Sequence, residues 1–258
     1  MIYIGVFILG LLVGSFLNVV ICRLGTKESI VWGRSHCPHC EKKLSAGELI
    51  PVLSYLIQRG KCRHCQKKIS IQYLFVEIAT ALIFILILWT AQMRGGVMAD
   101  WKLILAIVRD WIFASFLAVI FIYDLKKQLI LDRVTVPAMI IALIINLVLG
   151  ISIFNLLFGA LIAFGFFFLQ FAISRGKWIG GGDLRFGIMM GLMLGWSSTL
   201  VALFLAYVIG AIFSLGLIAG KKEKMDSHIA FGTFLSIGTI IALLFGPQIV
   251  NWYLNLSL

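Results

Sequence analysis

The stretch IYIGVFILGLLVGSFLNVVI, residues 2–21, contains no charged side chain and is long enough to cross a lipid bilayer. It lacks the basic segment and the small-residue cleavage site of a signal peptide, so we expect a retained membrane helix over residues 2–22. The whole chain of 258 residues is 61% hydrophobic and 13% charged, against roughly 45–50% and 25% in soluble domains. The sequence therefore predicts an all-α polytopic membrane protein.

Further apolar runs predict about eight transmembrane helices in total. The short sixth run contains Gly187, Gly191 and Gly195, whose spacing indicates close packing against a neighbouring helix. The third run contains Arg109 and Asp110, which need a water-lined or protein-buried setting if the helix includes them. The predicted spans are residues 2–22, 72–92, 103–123, 134–150, 152–173, 184–196, 198–220 and 230–254.

The basic residues fall on alternate connections between these spans. Nineteen of the 22 Lys and Arg residues lie in segment 23–71 or in the loops after spans three, five and seven. Because positively charged loops remain in the cytoplasm, we expect these segments to be cytoplasmic and both termini to lie outside a bacterial inner membrane. A net charge of +11 would suggest nucleic acid as a partner of a soluble protein. Here the membrane topology accounts for the charge, and we expect a lipid bilayer and no nucleic acid.

Segment 23–71 is the only large predicted extramembrane region, and it contains two C-x-x-C pairs. Two such turns bring four thiolates to one tetrahedral metal ion, which predicts a structural zinc site without an open coordination position. Disulfides or redox-active pairs are the alternative, but a reducing cytoplasm disfavours disulfides and no thioredoxin-like pattern surrounds the pairs. The predicted ligands are Cys37, Cys40, Cys62 and Cys65, and the neighbouring His36, His39 and His64 are expected to be exposed and not to bind the metal.

Two of the eleven acidic residues lie at the cytoplasmic ends of predicted helices. Asp124 follows the apolar run 112–123, and Asp183 follows three glycines at the start of the sixth span. On one membrane face, two carboxylates that share a proton could activate a water molecule. They could equally be helix-end residues, with Asp183 capping its helix, or part of a proton relay in a transporter. From the spacing alone these alternatives stay open.

The same residues occur in motifs that resemble the bacterial type IV prepilin peptidases, which are membrane aspartic peptidases of the leader peptidase/N-methyltransferase kind. The resemblance extends over nearly the whole chain, and it implies that Asp124 and Asp183 are the two catalytic aspartates. It makes Asp132 a helix-start residue outside the pair. The matching segments are GSFLNVVICRL at 14–24, RSHCPHC at 34–40, LIPVLSYL at 49–56, GKCRHC at 60–65, residues 124–132 and GGGDLR at 180–185.

The sequence departs from the family pattern at four positions. Leu131 stands where the family usually has proline, and Arg185 stands where it usually has lysine. Ala230 and Thr233 replace two usual prolines. None of these changes removes an acid, and Arg185 keeps the positive charge in the form of a planar guanidinium.

The resemblance also implies the reaction and a division of the chain. The substrates would be type IV prepilins or pseudopilins, cleaved after a glycine at the cytoplasmic membrane boundary. The new N-terminal residue would then be methylated with S-adenosylmethionine, for which no binding motif is recognisable in the sequence. We expect a first transmembrane helix at 1–22, a zinc-knuckle domain at 23–71 and a membrane-embedded peptidase domain at 72–258. A proton-coupled transporter and a zinc-knuckle scaffold are less consistent with the spacing of the acids.

Overall fold

The computed structural model describes residues 1–26, 28–30, 32–94, 100–219 and 230–256, and these residues are almost entirely helical. Two isolated antiparallel bridges, His36 with Lys43 and Lys61 with Lys68, are the β-type pairings within these ranges. A short 3-10 helix spans Ala46–Glu48. The α-helices are α1 (Ile2–Arg23), α2 (Leu53–Ile57), α3 (Ile71–Met93), α4 (Trp101–Lys127), α5 (Asp132–Val148), α6 (Ile153–Ser174), α7 (Gly181–Leu194), α8 (Trp196–Ala219) and α9 (Phe231–Leu256).

Each predicted span corresponds to one of these helices. In the part of the chain that the structure describes, six helices are long and apolar enough to cross a membrane: α1, α3, α4, α6, α8 and α9. The other two, α5 and α7, have 17 and 14 residues and extend about 26 and 21 Å at 1.5 Å per residue. The all-α polytopic membrane fold is therefore confirmed, with eight as an approximate number of spans. Outward apolar side chains such as Phe154, 80% exposed, fit contact with lipid.

Four of the basic residues that predict the membrane topology lie outside the described residues. They are Lys27, Lys221, Lys222 and Lys224.

The chain divides into two compact units, Met1–Trp89 and Thr90–Leu258. In the first unit α1 and α3 approach closely at Gly10 and Gly14. A Cβ added at Gly10 would lie 2.5 Å from the Ala81 Cα. At the end of α1, the buried Arg23 guanidinium donates hydrogen bonds to the carbonyls of Ser29 and Trp32. Arg23 therefore fixes the path of the chain from α1 towards the first C-x-x-C pair.

In the second unit the glycines of α7 form the contact with α6. A Cβ at Gly191 would lie 2.2 Å from the backbone nitrogen of Ala160, and one at Gly187 would lie 2.8 Å from the Phe167 ring. Gly195 follows α7 with a φ of +74°, a conformation that favours glycine. The predicted close packing of the sixth span is confirmed, and it sets the position of α7.

The third predicted span includes Arg109 and Asp110, because α4 begins at Trp101. Asp110 is buried, and its carboxylate is 2.8 Å from the Arg109 guanidinium. Arg109 also donates to the Asn146 side-chain oxygen at 2.9 Å, and the Asn146 amide donates to the Leu192 carbonyl near the end of α7 at 2.7 Å. The protein-buried setting that these charges need is therefore present, and it joins α4, α5 and α7.

Candidate active site and metal cluster

Asp124 lies within α4, one turn before the end of the helix, whereas the predicted span ended at residue 123. The helix extends to Lys127 because Gln128 adopts a left-handed conformation and its N–H donates to the Asp124 carbonyl at 2.8 Å. The Asp124 carboxylate is buried, with 4% of the residue exposed. Its side chain accepts hydrogen bonds from the backbone N–H groups of Thr233, at 2.9 Å, and Gly232. The N-terminus of α9 therefore holds the carboxylate, a position that favours an anion.

Two residues at the start of α9 allow this arrangement. A Cβ at Gly232 would lie 2.8 Å from the Asp124 Oδ2, so a side chain there would displace the carboxylate. Thr233 stands where the resemblance expects proline, and proline has no backbone N–H to donate. The departure at Thr233 therefore adds a hydrogen bond to Asp124. The Thr233 hydroxyl donates to the Ala230 carbonyl at 2.6 Å, which fixes the first turn.

Asp183 is the third residue of α7. It caps the helix, which is one of the alternatives that the sequence left open. Its Oδ2 accepts the Gly180 N–H at 3.1 Å, and its own N–H donates to the Gly180 carbonyl at 3.1 Å. A Cβ at Gly180 would lie 3.6 Å from the Asp183 Oδ2, in ordinary contact with it, whereas a Cβ at Gly181 would meet nothing within 4 Å. Capping leaves the second carboxylate oxygen of Asp183 available for chemistry.

The loop between α4 and α5 brings the two acids to one site. A Cβ at Gly182 would lie 3.0 Å from the Ile130 Cβ, and a Cβ at Gly232 would lie 3.0 Å from the Ile130 Cδ1. Ile130 therefore lies between the N-terminus of α7, which carries Asp183, and the N-terminus of α9, which donates hydrogen bonds to Asp124. The two carboxylates are close enough to interact electrostatically. Asp110 lies about 21 Å from Asp124 along α4, so it belongs to a separate cluster.

Asp132 lies outside this pair. It begins α5, as the resemblance implied, and it is about half exposed. Its carboxylate forms an ion pair with the Arg185 guanidinium, which is also about half exposed. The pair joins the first turns of α5 and α7 beside Asp183.

Aromatic side chains next to the acids were not predicted from the sequence. The Tyr207 ring meets the Phe231 ring edge-on at a centroid distance of 5.0 Å, and the Tyr207 hydroxyl bonds to the Gln170 side-chain oxygen at 2.9 Å. Tyr207 also lies within electrostatic reach of Asp183. In a chain with 20 Phe and 6 Tyr, sequence alone does not distinguish these aromatics from lipid-facing ones.

The four predicted cysteine ligands converge in the first unit. Their Sγ atoms all lie within 4.8 Å of one another, and Cys37 Sγ is 3.9 Å from Cys65 Sγ. A tetrahedral zinc ion with Zn–S bonds of about 2.3 Å requires sulfur–sulfur distances of about 3.8 Å. Among the described residues, this cluster contains the four thiols and no histidine, and His39 is exposed.

The two C-x-x-C turns are built alike. The N–H of Cys37 donates to the Lys42 carbonyl, and the N–H of Cys62 donates to the Lys67 carbonyl five residues later in the same way. The backbone N–H groups of Cys65 and His64 lower the pKa of the Cys62 thiol to about 7. At Cys40 a hydrogen bond from the Lys42 backbone acts in the same direction, but burial and the neighbouring thiols raise the pKa of that thiol to about 11. Since metals bind the thiolate, the donors at Cys62 favour a cation beside that sulfur.

Comparisons with known proteins identify the family of the chain. The bacterial peptidase A24 N-terminal domain matches residues 8–91, and the type IV leader peptidase family matches residues 111–215. The chain is 33% identical to a prepilin leader peptidase/N-methyltransferase of Aeromonas hydrophila, over 97% of this chain and 93% of that protein. It is 32% identical to one of Bacillus subtilis (strain 168), over 98% of both chains. No solved structure matches the chain. The chain belongs to the type IV leader peptidase family.

Proposed function

We propose that the chain removes the leader peptide of type IV prepilins and pseudopilins with Asp124 and Asp183 and then methylates the new N-terminus. As a member of its family the chain is a prepilin peptidase with N-methyltransferase activity, and it is a multi-pass membrane protein. The observation that carries the catalytic assignment is the meeting of two carboxylates at the N-termini of α7 and α9. Cleavage after a glycine is the family pattern that this site would follow.

The geometry supports general acid–base hydrolysis of a peptide bond. A water molecule between the two carboxylates would lose a proton to the ionised one while the protonated one donates to the scissile carbonyl oxygen. The resulting tetrahedral intermediate would collapse as the leaving amine takes up a proton from the pair. Since the carboxylates interact, their protonation belongs to the pair and not to either residue.

The four-cysteine cluster fits a structural zinc ion held by Cys37, Cys40, Cys62 and Cys65. Four thiolates fill a tetrahedral coordination sphere, so the ion would stabilise the segment and take no part in the hydrolysis. S-adenosylmethionine would supply the methyl group. We keep the division into a first helix at 1–22, a zinc-knuckle domain at 23–71 and a peptidase domain at 72–258.

We place the acids and the zinc-knuckle domain on the cytoplasmic side, and both termini outside. The support is the distribution of basic residues, because positively charged loops resist translocation. A basic leader would be retained on the same side for the same reason. The junction between leader and hydrophobic helix would then lie at the membrane boundary beside Asp124 and Asp183.

Replacing either acid by its amide should abolish cleavage while the protein remains folded. Asp124→Asn and Asp183→Asn keep the size of the side chain but remove the group that accepts the proton from water, and we expect a loss of at least about 100-fold. The measurement is mass spectrometry of a prepilin incubated with purified enzyme in detergent, where cleavage appears as loss of the leader mass. Asp132→Asn is the matched control and should retain most of the activity. Near-normal turnover in either amide variant of the pair would remove that residue from the mechanism.

Freshly reduced enzyme should contain about one zinc ion per chain. The double variant Cys37→Ser/Cys62→Ser should lose the metal, because it removes one ligand from each C-x-x-C turn, and segment 23–71 should become more sensitive to protease. Elemental analysis of purified protein measures the metal content. Cys22→Ser is the control, since Cys22 lies outside the cluster. Wild-type protein that contains no zinc would refute the metal assignment.

The topology can be tested with cysteines introduced one at a time in a Cys22→Ser background. Labelled peptides are identified by mass spectrometry, because the four cysteines of the cluster remain in the protein. A membrane-impermeant thiol reagent added to intact cells should not label Lys177→Cys, in the loop before Asp183, and should label Ser197→Cys at the start of α8. Labelling of both positions after the membrane is opened shows that each is reactive. Labelling of Lys177→Cys from outside would reverse the orientation proposed for the active site.

A further inference from the structure

The α1–α3 pair of the first unit carries polar side chains that neither the acid pair nor the cysteine cluster uses. Ser15 and Asn18 lie three residues apart on α1, and Tyr73 and Glu77 lie four residues apart on α3, so each pair shares one face of its helix. The two faces meet, because the Asn18 amide donates to the Tyr73 carbonyl at 3.0 Å. This polar group therefore lies between two helices that are otherwise mainly apolar, although α3 also contains two glutamines and two threonines.

Glu77 is the centre of this group. It is the only charged residue of α3, it is 7% exposed, and it lies about 9 Å along the helix from Ile71. A Cβ at Gly14 would lie 2.7 Å from the Glu77 Cα, so the two helix backbones also approach closely at this point. The Ser15 side chain is within hydrogen-bonding reach of the Glu77 carboxylate.

The segment between the two C-x-x-C turns also contributes to Glu77. The backbone N–H of Val52 donates to Glu77 Oε2 at 2.8 Å. Val52 has φ +62° and ψ −54°, a conformation that β-branched residues seldom adopt. Such strain persists only where the surrounding structure requires it, and here it aims a donor at a buried carboxylate.

Asn18 supplies a second acceptor that is not satisfied. It is 1% exposed, and its Oδ1 has no hydrogen-bond partner among the described residues. A buried carbonyl oxygen without a donor costs free energy, which a bound donor would offset. The group therefore presents a carboxylate and a free carbonyl oxygen, the acceptors that suit an ammonium.

We propose that Glu77 and Asn18 bind the N-terminal ammonium of the cleaved pilin and that Glu77 accepts its proton for methyl transfer. The inference rests on the proposed methyltransferase function. A new pilin N-terminus is an ammonium at the head of a hydrophobic helix, so it enters an apolar region where a cation needs an anionic partner. The only carboxylate on α1 or α3 lies a short distance inside α3.

The step balances with S-adenosylmethionine as the sulfonium donor. The bound ammonium first gives one proton to the Glu77 carboxylate and becomes a neutral amine. The amine nitrogen then forms a bond to the methyl carbon, and the carbon–sulfur bond breaks with its electron pair on sulfur. The products are a methylated ammonium and a neutral thioether.

The test uses full-length enzyme and two substrates, an intact prepilin and a pilin from which the leader has already been removed. Glu77→Gln should cleave the prepilin at the wild-type rate, because the acid pair lies in the second unit. Methylation of the pre-cleaved pilin should fall by at least about 100-fold, read by mass spectrometry as loss of the added methyl group. Glu77→Asp should restore part of the rate. Asn18→Ala should raise the KM for the pre-cleaved pilin.

Two further measurements separate amine binding from other roles. S-adenosylmethionine also contains a primary ammonium, so its affinity is measured without turnover by equilibrium dialysis, and Glu77→Gln should leave it unchanged. Zinc content should also be unchanged. Glu41→Gln, which removes an exposed acid of the same unit, is the matched control and should methylate normally.

Three results would overturn the inference. A Glu77→Gln enzyme that methylates at the wild-type rate would exclude Glu77 as the acceptor. Weaker binding of S-adenosylmethionine would assign the group to the methyl donor. Loss of zinc would show instead that Glu77 supports the segment between the two C-x-x-C turns through its hydrogen bond with Val52. A wild-type enzyme that cleaves but never methylates would refute the methyltransferase function itself, and this inference with it.

Discussion

A carboxylate removed from water needs hydrogen-bond donors in place of the solvent, and a helix N-terminus supplies them from the backbone. Asp124 and Asp183 meet this requirement with the first turns of α9 and α7. This need for donors constrains the arrangement of the second unit, because two helix N-termini must meet at the end of a third helix, α4. Glycine is required at that meeting point, since a Cβ at Gly232 would lie 2.8 Å from the Asp124 carboxylate.

Packing far from the acids keeps α7 in place. At Gly191 the backbones of α6 and α7 approach so closely that no side chain fits between them. At the other end of α7, Asn146 and Arg109 connect the Leu192 carbonyl to α4. The two helices that carry the acids are therefore joined near both ends. These contacts hold Asp124 and Asp183 in place, and the helices between the two ends can remain apolar.

The helices and their order could be predicted from the sequence, because apolar runs of membrane length are a strong signal. The four cysteines and the two acids were also identifiable, since those residue types at those spacings have a known chemistry. The proximity of Asp124 to Asp183 is visible in the structure, and their catalytic roles remain a proposal. The roles of Gly232 and Ile130 were not predictable, because a small or aliphatic residue in an apolar chain has no distinctive pattern. Glu77 and Asn18 were missed because their meaning depends on contacts between α1 and α3, about 60 residues apart in sequence.

The most direct test of the convergence of Asp124 and Asp183 is whether the loop after α4 contacts the glycines before Asp183. A Cβ at Gly182 would lie 3.0 Å from the Ile130 Cβ, and disulfides join Cβ atoms about 3.8 Å apart. The double variant Ile130→Cys/Gly182→Cys should therefore form an internal disulfide on mild oxidation, found by mass spectrometry of the linked peptides. The Ile130→Cys/Gly181→Cys control should not, because a Cβ at Gly181 would meet nothing within 4 Å. Absence of the 130–182 linkage, or equal linkage in both variants, would contradict the convergence of the two acids.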